Sequence, residues 1–172
     1  MWRYLLFTVV FVLAACVSDY DKETNTLTIK YNEGGYSDKH IRQYNELLAN
    51  GTTVRIEGFC ASSCTFFISL PNACVTPDAT LFFHGSSTNI TVEEAQRQYD
   101  VARTKGEGHP WPRFKTKQDV LDYGDYTVSF AYSPKIRKEF MEVWRYRRGL
   151  SGYTFSGQEL HDRFPTEVKL CK

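Results

Sequence analysis

The segment from Val54 to Leu70 constrains the fold more than any other part of the chain. An apolar run, Val54-Arg55-Ile56, leads into Gly58-Phe59-Cys60-Ala61-Ser62-Ser63-Cys64-Thr65, and the apolar residues Phe66, Phe67, Ile68 and Leu70 follow. This reads as a strand, a turn of small residues and a helix. Such an elbow can hold a serine hydroxyl at an exposed, fixed position. A second strand, Thr80-Leu81-Phe82-Phe83, is entered through Thr76-Pro77-Asp78 and ends on His84-Gly85. A histidine at a neighbouring strand end is suited to take the proton from that serine.

The surrounding pattern predicts an α/β fold with mostly parallel strands and C-terminal helices. Leu27-Thr28-Ile29-Lys30-Tyr31 alternates as a half-buried strand does, and Asn32-Glu33-Gly34-Gly35 is a turn whose glycines tolerate positive φ. A helix is expected from about Asp38, with Ile41, Tyr44, Leu47 and Leu48 on one face and Asn50-Gly51 stopping it. Short strands at Cys74-Val75 and Thr80-Phe83 complete a β-turn-α-β-turn-α-β order, which favours right-handed parallel crossovers. Thr91-Val92-Glu93-Glu94 reads as a capping box for a helix through about Ala102. A loop from Gly106 to Pro112 contains His109 and Trp111. Ser133-Pro134 opens a long helix expected from Lys135 to about Arg148, and Gly149 ends it. Ser156-Gly157-Gln158-Glu159 is a second capping box, before a short helix around Leu160.

A chain of 172 residues makes one domain with a core, and a hydrophobic fraction of 42% argues against disorder. A net charge of +1 gives no pull towards nucleic acid. Leu5 to Ala15 is an uncharged apolar stretch behind Arg3, too short to span a bilayer, and it reads as a secretory signal peptide. Leu13-Ala14-Ala15-Cys16 resembles a bacterial lipobox, in which Cys16 becomes the lipidated N-terminus. The expected organisation is a signal peptide over 1–15, a lipid-anchored linker over 16–25 and a folded domain over 26–172. The expected location is the periplasmic side of a bacterial membrane.

Export leaves four cysteines in an oxidising compartment: Cys60, Cys64, Cys74 and Cys171. Two disulfides are expected, and four cysteines allow three pairings. Cys64–Cys74 with Cys60–Cys171 is favoured, because the first would tie the helix after the elbow to the next strand and the second would pin the C-terminal tail. Cys60–Cys64 with Cys74–Cys171 is the sterically conceivable alternative. The spacings match no common zinc pattern, so metal binding is the weaker reading.

Glu33-Gly34-Gly35, the elbow from Gly58 to Ser62 and the strand ending at His84 occur together and in order. In this the chain resembles the Clp-protease/crotonase superfamily, most closely its small exported bacterial members, over roughly Leu27 to Gly85. The Clp proteolytic subunit carries Pro-Gly-Gly where this chain has Glu33-Gly34-Gly35. Its elbow runs glycine, two residues, alanine, serine, as Gly58-Phe59-Cys60-Ala61-Ser62 does. Phe155 to Leu160 resembles the late serine-initiated helix of that fold. The resemblance implies a crotonase-like arrangement of ββα units, with Ser62 as nucleophile, His84 as general base, and the backbone N–H groups of Gly35 and Ser63 as an oxyanion hole. It implies no cofactor, and an exported chain is a poor candidate for acyl-CoA chemistry.

One departure stands out. The family's third member is an aspartate shortly before the late helix, whereas Gly149-Leu150-Ser151-Gly152-Tyr153-Thr154 contains no acid. In serine proteases, losing that orienting carboxylate costs roughly ten-thousandfold in turnover. Asp122, Asp125 and Glu107, all expected in the loop region, are the candidate substitutes. Two functions are therefore carried forward: an exported serine hydrolase acting on a peptide or other acyl substrate, and a non-catalytic binding or scaffold module on the same fold. Of the remaining residues, His40 reads as a solvated or packing residue, His109 as a loop residue of a lid and His161 as surface. Trp111 reads as an aromatic plug on the core, with a partner contact as the alternative, and Arg145, Arg147 and Arg148 as a solvated helix face, with contact to anionic headgroups as the alternative. Nothing in the sequence marks a ring-forming surface.

Overall fold

The computed structural model describes residues 17–172; the expected signal peptide and Cys16 lie outside the described residues. The protein is a mixed α/β fold. Residues 17–21, expected in a linker, instead form strand β1 (Val17–Asp21), antiparallel to β2 (Thr26–Asn32). Local chemistry closes this hairpin. Asp21 accepts from the Glu23 N–H at 2.9 Å and from Thr24 Oγ1 at 2.8 Å, and Asn25 takes a left-handed φ of 48°, which asparagine tolerates.

The expected helix after the glycine turn forms as α1 (Ser37–Ala49), with Ile41, Tyr44 and Leu47 packed on the core. Leu48 is exposed instead, and His40 takes the buried place on the inner face. Strand β3 (Thr53–Ala61) follows, then a 3₁₀ helix over Ser62–Ser69, then β4 (Ala73–Val75) and β5 (Thr80–Phe83). The 3₁₀ segment is buried on every side from Ser63 to Ile68, so it has no polar face for a longer amphipathic helix.

Strand β3 organises the sheet. It pairs in parallel with β2 on one side, and on the other side its first half pairs with β4 and its second half with β5. The change of neighbour coincides with a bulge. Ile29 pairs with Ile56 but Tyr31 pairs with Phe59, so β3 holds one extra residue. Gly58 lies there, and a Cβ on it would be 2.0 Å from the Lys30 carbonyl oxygen. Beyond the bulge, residues alternate between two faces. Cys60, Leu81 and Phe83 enter the core, while Tyr31, Phe59 and Phe82 are directed to the opposite face.

Four helices follow α1: α2 (Val92–Thr104), α3 (Lys117–Ser129), α4 (Pro134–Glu142) and α5 (Gly157–Arg163). Strand β6 (Tyr153–Ser156) lies antiparallel to β5. The expected capping box before α5 is complete, with the Ser156 side chain accepting from the Glu159 N–H and Glu159 accepting from the Ser156 N–H. The helix expected from Lys135 to Arg148 is shorter, because it ends at Glu142. Trp144 turns into the core against Phe83, at 4.4 Å between ring centroids, and the Arg147 carbonyl accepts the Gly85 N–H at 2.7 Å. Burying that indole and reaching Gly85 pull the chain out of the helix. Asp122 and Asp125, expected in a loop, belong to α3.

The cysteines are oxidised in pairs, but not in the favoured pairing. They join as Cys60–Cys64 and Cys74–Cys171. The elbow reverses the chain between Cys60 and Cys64 and leaves their Cα atoms 5.4 Å apart, both side chains buried. Cys74 is on β4, whose free edge receives the C-terminal residues: the Val75 N–H donates to Lys169 and the Cys171 N–H to Val75, both at 2.9 Å. Two disulfides point to folding outside the reducing cytoplasm. Among the described residues no helix is long and apolar enough to cross a membrane.

Candidate active site

Ser62 sits at the bend between β3 and the 3₁₀ helix. Ala61 is extended, with φ −119° and ψ 155°, and Ser62 turns into the left-handed region at φ 56° before the 3₁₀ helix begins. A serine held there costs of order 1–3 kcal/mol, and such strain collects at functional sites. Several contacts impose it. The Cys60–Cys64 disulfide brackets the bend. Thr65 Oγ1 donates to the Ser62 carbonyl at 2.6 Å and is 2.7 Å from the buried Tyr132 hydroxyl. With the Thr65 proton committed, Tyr132 is the donor of that second bond. Burial pushes the Tyr132 phenol far above its ordinary range, so it stays neutral.

The glycine turn fits against this bend. The Gly34 N–H donates to Asn32 Oδ1 at 2.8 Å, which fixes the turn, and Gly34 adopts φ 80°. Gly35, at φ 129°, has open space where a side chain would be. Among the described residues, the N–H groups of Gly35 and Ser63 donate to no partner. The Ser63 hydroxyl donates to the Gly35 carbonyl at 3.3 Å and lies 2.9 Å from His40 Nδ1, which is also 3.2 Å from the Tyr36 carbonyl. His40 is therefore a packing residue that supports the turn. Burial holds its imidazole below the ordinary histidine value, the Tyr36 hydrogen bond opposing this only in part.

His84 leaves the end of β5 into the same cleft. A cavity of about 650 Å³ is lined by Ser62 and His84 together with an aromatic floor. A smaller one of about 70 Å³ has Gly35, Ser62, Ser63 and His84, the site residues that the resemblance implies, among its lining, together with Ser86, Tyr132 and others. No hydrogen bond links Ser62 and His84 among the described residues. His84 Nδ1 instead lies 2.8 Å from the Gly85 carbonyl. A carbonyl only accepts, so this bond puts the proton on Nδ1 and leaves the Nε2 lone pair available as a base.

Of the candidate substitute acids, Asp125 comes closest to the histidine segment. It is fully buried, accepts from the Ser86 N–H and pairs with Arg148 Nη2 at 2.9 Å. Arg148 Nη1 in turn donates to the Ser86 carbonyl. Both peptide groups just beyond His84 and Gly85 are thereby clamped. Asp122 pairs with Arg145 at 3.3 Å, and Glu107 lies in the exposed turn after α2. Arg145 and Arg148 are thus packed against α3, rather than forming a solvated face, while Arg147 stacks over the Tyr153 ring. His109 stacks on Phe130 at 4.4 Å, Trp111 packs on Tyr123 and Tyr126, and half-buried His161 places Nδ1 2.7 Å from the Val168 carbonyl.

The supports that sequence reasoning missed are Thr65, Tyr132 and Arg148, while His40 takes the packing place that is one of its two expected readings. The Asn-Glu-Gly-Gly turn carries a legible signal for Asn32, and Thr116 with Asp119 forms a capping box, an unused local signal for the start of α3. Arg148 had no local signal, since its partner is 23 residues away. The sequence matches no protein-family model and no curated protein.

Proposed function

We propose that this protein is an exported serine hydrolase on a Clp-protease/crotonase-like fold. The observation that carries this reading is the left-handed Ser62 at a strand-to-helix bend, sharing one cleft with His84 and with the open N–H groups of Gly35 and Ser63. In the reaction, His84 Nε2 takes the Ser62 hydroxyl proton as Oγ attacks an acyl carbon. The developing oxyanion accepts from the Gly35 and Ser63 N–H groups. The carbon–leaving-group bond breaks, and the leaving group departs with the proton from His84. Water then repeats the sequence on the acyl-serine, releasing the acid and restoring both side chains. The Gly85 carbonyl takes the orienting role that a carboxylate has in a triad, and the Asp125–Arg148 clamp holds that carbonyl's segment in place. Without a carboxylate to stabilise the imidazolium, turnover is expected to be slow.

A second reading has its own support. No Ser62–His84 hydrogen bond is formed, and the histidine partner is a neutral carbonyl, as suits a binding or scaffold module that keeps the fold without the chemistry. Hydrolysis of 4-nitrophenyl butyrate separates the two. Release of 4-nitrophenol above the Ser62→Ala and His84→Ala backgrounds supports the hydrolase, and equal rates in all three proteins favour the scaffold.

The envelope assignment rests on Leu13-Ala14-Ala15-Cys16 and on the disulfides. Lipidation of Cys16 would leave the domain at the periplasmic face of a membrane. Intact mass of the membrane fraction should then show added acyl mass, and Cys16→Ser should release the protein; wild type already free in the periplasm would contradict the anchor.

A further inference from the structure

The larger cavity beside Ser62 has a composition that selects for charge. Its floor is the outer face of the sheet beyond the bulge, where Tyr31 and Phe59 pair in register with ring centroids 5.4 Å apart and Phe82 follows on β5. Tyr36, 84% exposed at the start of α1, forms its rim. Glu33 is the one carboxylate among the residues that line it, and no lysine or arginine lines it. The Tyr31 hydroxyl donates to Glu33, which holds the carboxylate beside the rings. Aromatic faces carry negative charge density and attract cations, and a carboxylate at the same place adds to that preference. An uncharged apolar group would fill the rings but leave Glu33 without a counter-charge.

We infer that this cavity is a cation-recognition subsite, so that the substrate is an acyl compound carrying a basic or quaternary ammonium group next to the bond that Ser62 attacks. The inference rests on the hydrolase reading for its catalytic part and on the cavity alone for its binding part. Those parts can be tested separately.

Benzyltrimethylammonium and its neutral counterpart benzyl alcohol are titrated into the folded, oxidised protein and followed by NMR. The cation is expected to bind about tenfold more tightly than the alcohol. Glu33→Gln, which keeps an acceptor for Tyr31, should reduce that ratio severalfold, and Tyr36→Ala should reduce it as well. In parallel, turnover is compared for the 4-nitrophenyl esters of Nα-acetyl-lysine and Nα-acetyl-norleucine, which differ by the ammonium group. The lysine ester is expected to be preferred about tenfold in kcat/KM, with the ratio falling towards one in Glu33→Gln. Equal affinity for the cation and the alcohol, or a ratio that Glu33→Gln leaves unchanged, overturns the inference. Cation preference with no ester turnover keeps the subsite and removes the hydrolase reading. Turnover of both esters at equal rates, with equal affinity for the cation and the alcohol, keeps the hydrolase and removes the subsite.

Discussion

A Cβ atom on Gly34 would lie 2.7 Å from the Cβ of Ser62. The same atom would be 2.5 Å from the Ala61 carbonyl oxygen and 2.9 Å from the Ser63 nitrogen. The glycine turn and the serine elbow are thus one packed unit. Gly34→Ala combines a left-handed strain of about 1–2 kcal/mol with an overpacking cost of about 1–3 kcal/mol. Gly51, at φ 62°, has open space around it and serves as the control, since Gly51→Ala carries the strain alone. Urea unfolding should show Gly34→Ala as the more destabilised by at least about 1 kcal/mol. Equal losses would mean that the turn does not press on the elbow.

The Asp125–Arg148 pair is the clamp behind His84. Asp125 is wholly buried, so Arg148→Ala strands a carboxylate and should cost about 3–5 kcal/mol. A double-mutant cycle with Asp125→Ala should show strong coupling, because removing both partners relieves the unpaired charge. If Arg148 positions the histidine segment, the single variant should also change the pH dependence of ester hydrolysis. Additive losses with an unaltered pH profile would mean that the two residues are not coupled and that Arg148 does not position the histidine segment.

His40 makes stability depend on pH in a window of its own. Its folded-state value lies below the ordinary histidine value, so the unfolded chain binds the extra proton first as pH falls. Stability is therefore full above about pH 6.5 and is lost progressively as pH drops from there through the folded-state value. The lowered carboxylates, Glu167 and Asp119 among them, act in the same direction, but only nearer their own lower range. Denaturant midpoints measured between about pH 7 and pH 5 should fall for wild type and fall less for His40→Gln. Parallel curves would remove His40 from the interior.

The two disulfides should differ in what they do. Cys74–Cys171 closes a loop with a sequence separation of 97, for which chain entropy gives about 4–5 kcal/mol, whereas the separation of 4 for Cys60–Cys64 gives about 2 kcal/mol. Cys74→Ser with Cys171→Ser should thus be the more destabilised pair, while Cys60→Ala with Cys64→Ala should lose more reactivity at Ser62 for its stability cost. Non-reducing peptide mapping checks the pairing, and a Cys64–Cys74 peptide would contradict it.

The parts legible in the sequence are those whose signal is local. Alternation exposed Leu27–Tyr31, the glycine pair exposed the turn, and Ser156 with Glu159 marked α5. The bulge at Gly58 was invisible, because a strand glycine takes its meaning from the Lys30 carbonyl on another strand. α3 was missed because Gly124 and Asp125 interrupt its apolar face; Asp125 is buried by Arg148, a partner that sequence distance hides. The end of α4 was misjudged for a related reason: Val143 and Trp144 fit a helical pattern, but the core draws the indole inward. The cysteine pairing depends on how sharply Ser62 turns the chain, which small residues alone do not specify.

The most direct measurement on Ser62 is covalent labelling by a fluorophosphonate, in which the serine oxygen displaces fluoride from phosphorus. The oxidised wild-type protein should gain one phosphonyl adduct by intact mass, mapped to the peptide containing Ser62. Labelling should be absent in Ser62→Ala and strongly slowed in His84→Ala, with all three proteins equally folded. A folded, oxidised wild type that takes up no label, or that is labelled as fast without His84, would contradict a Ser62–His84 active site.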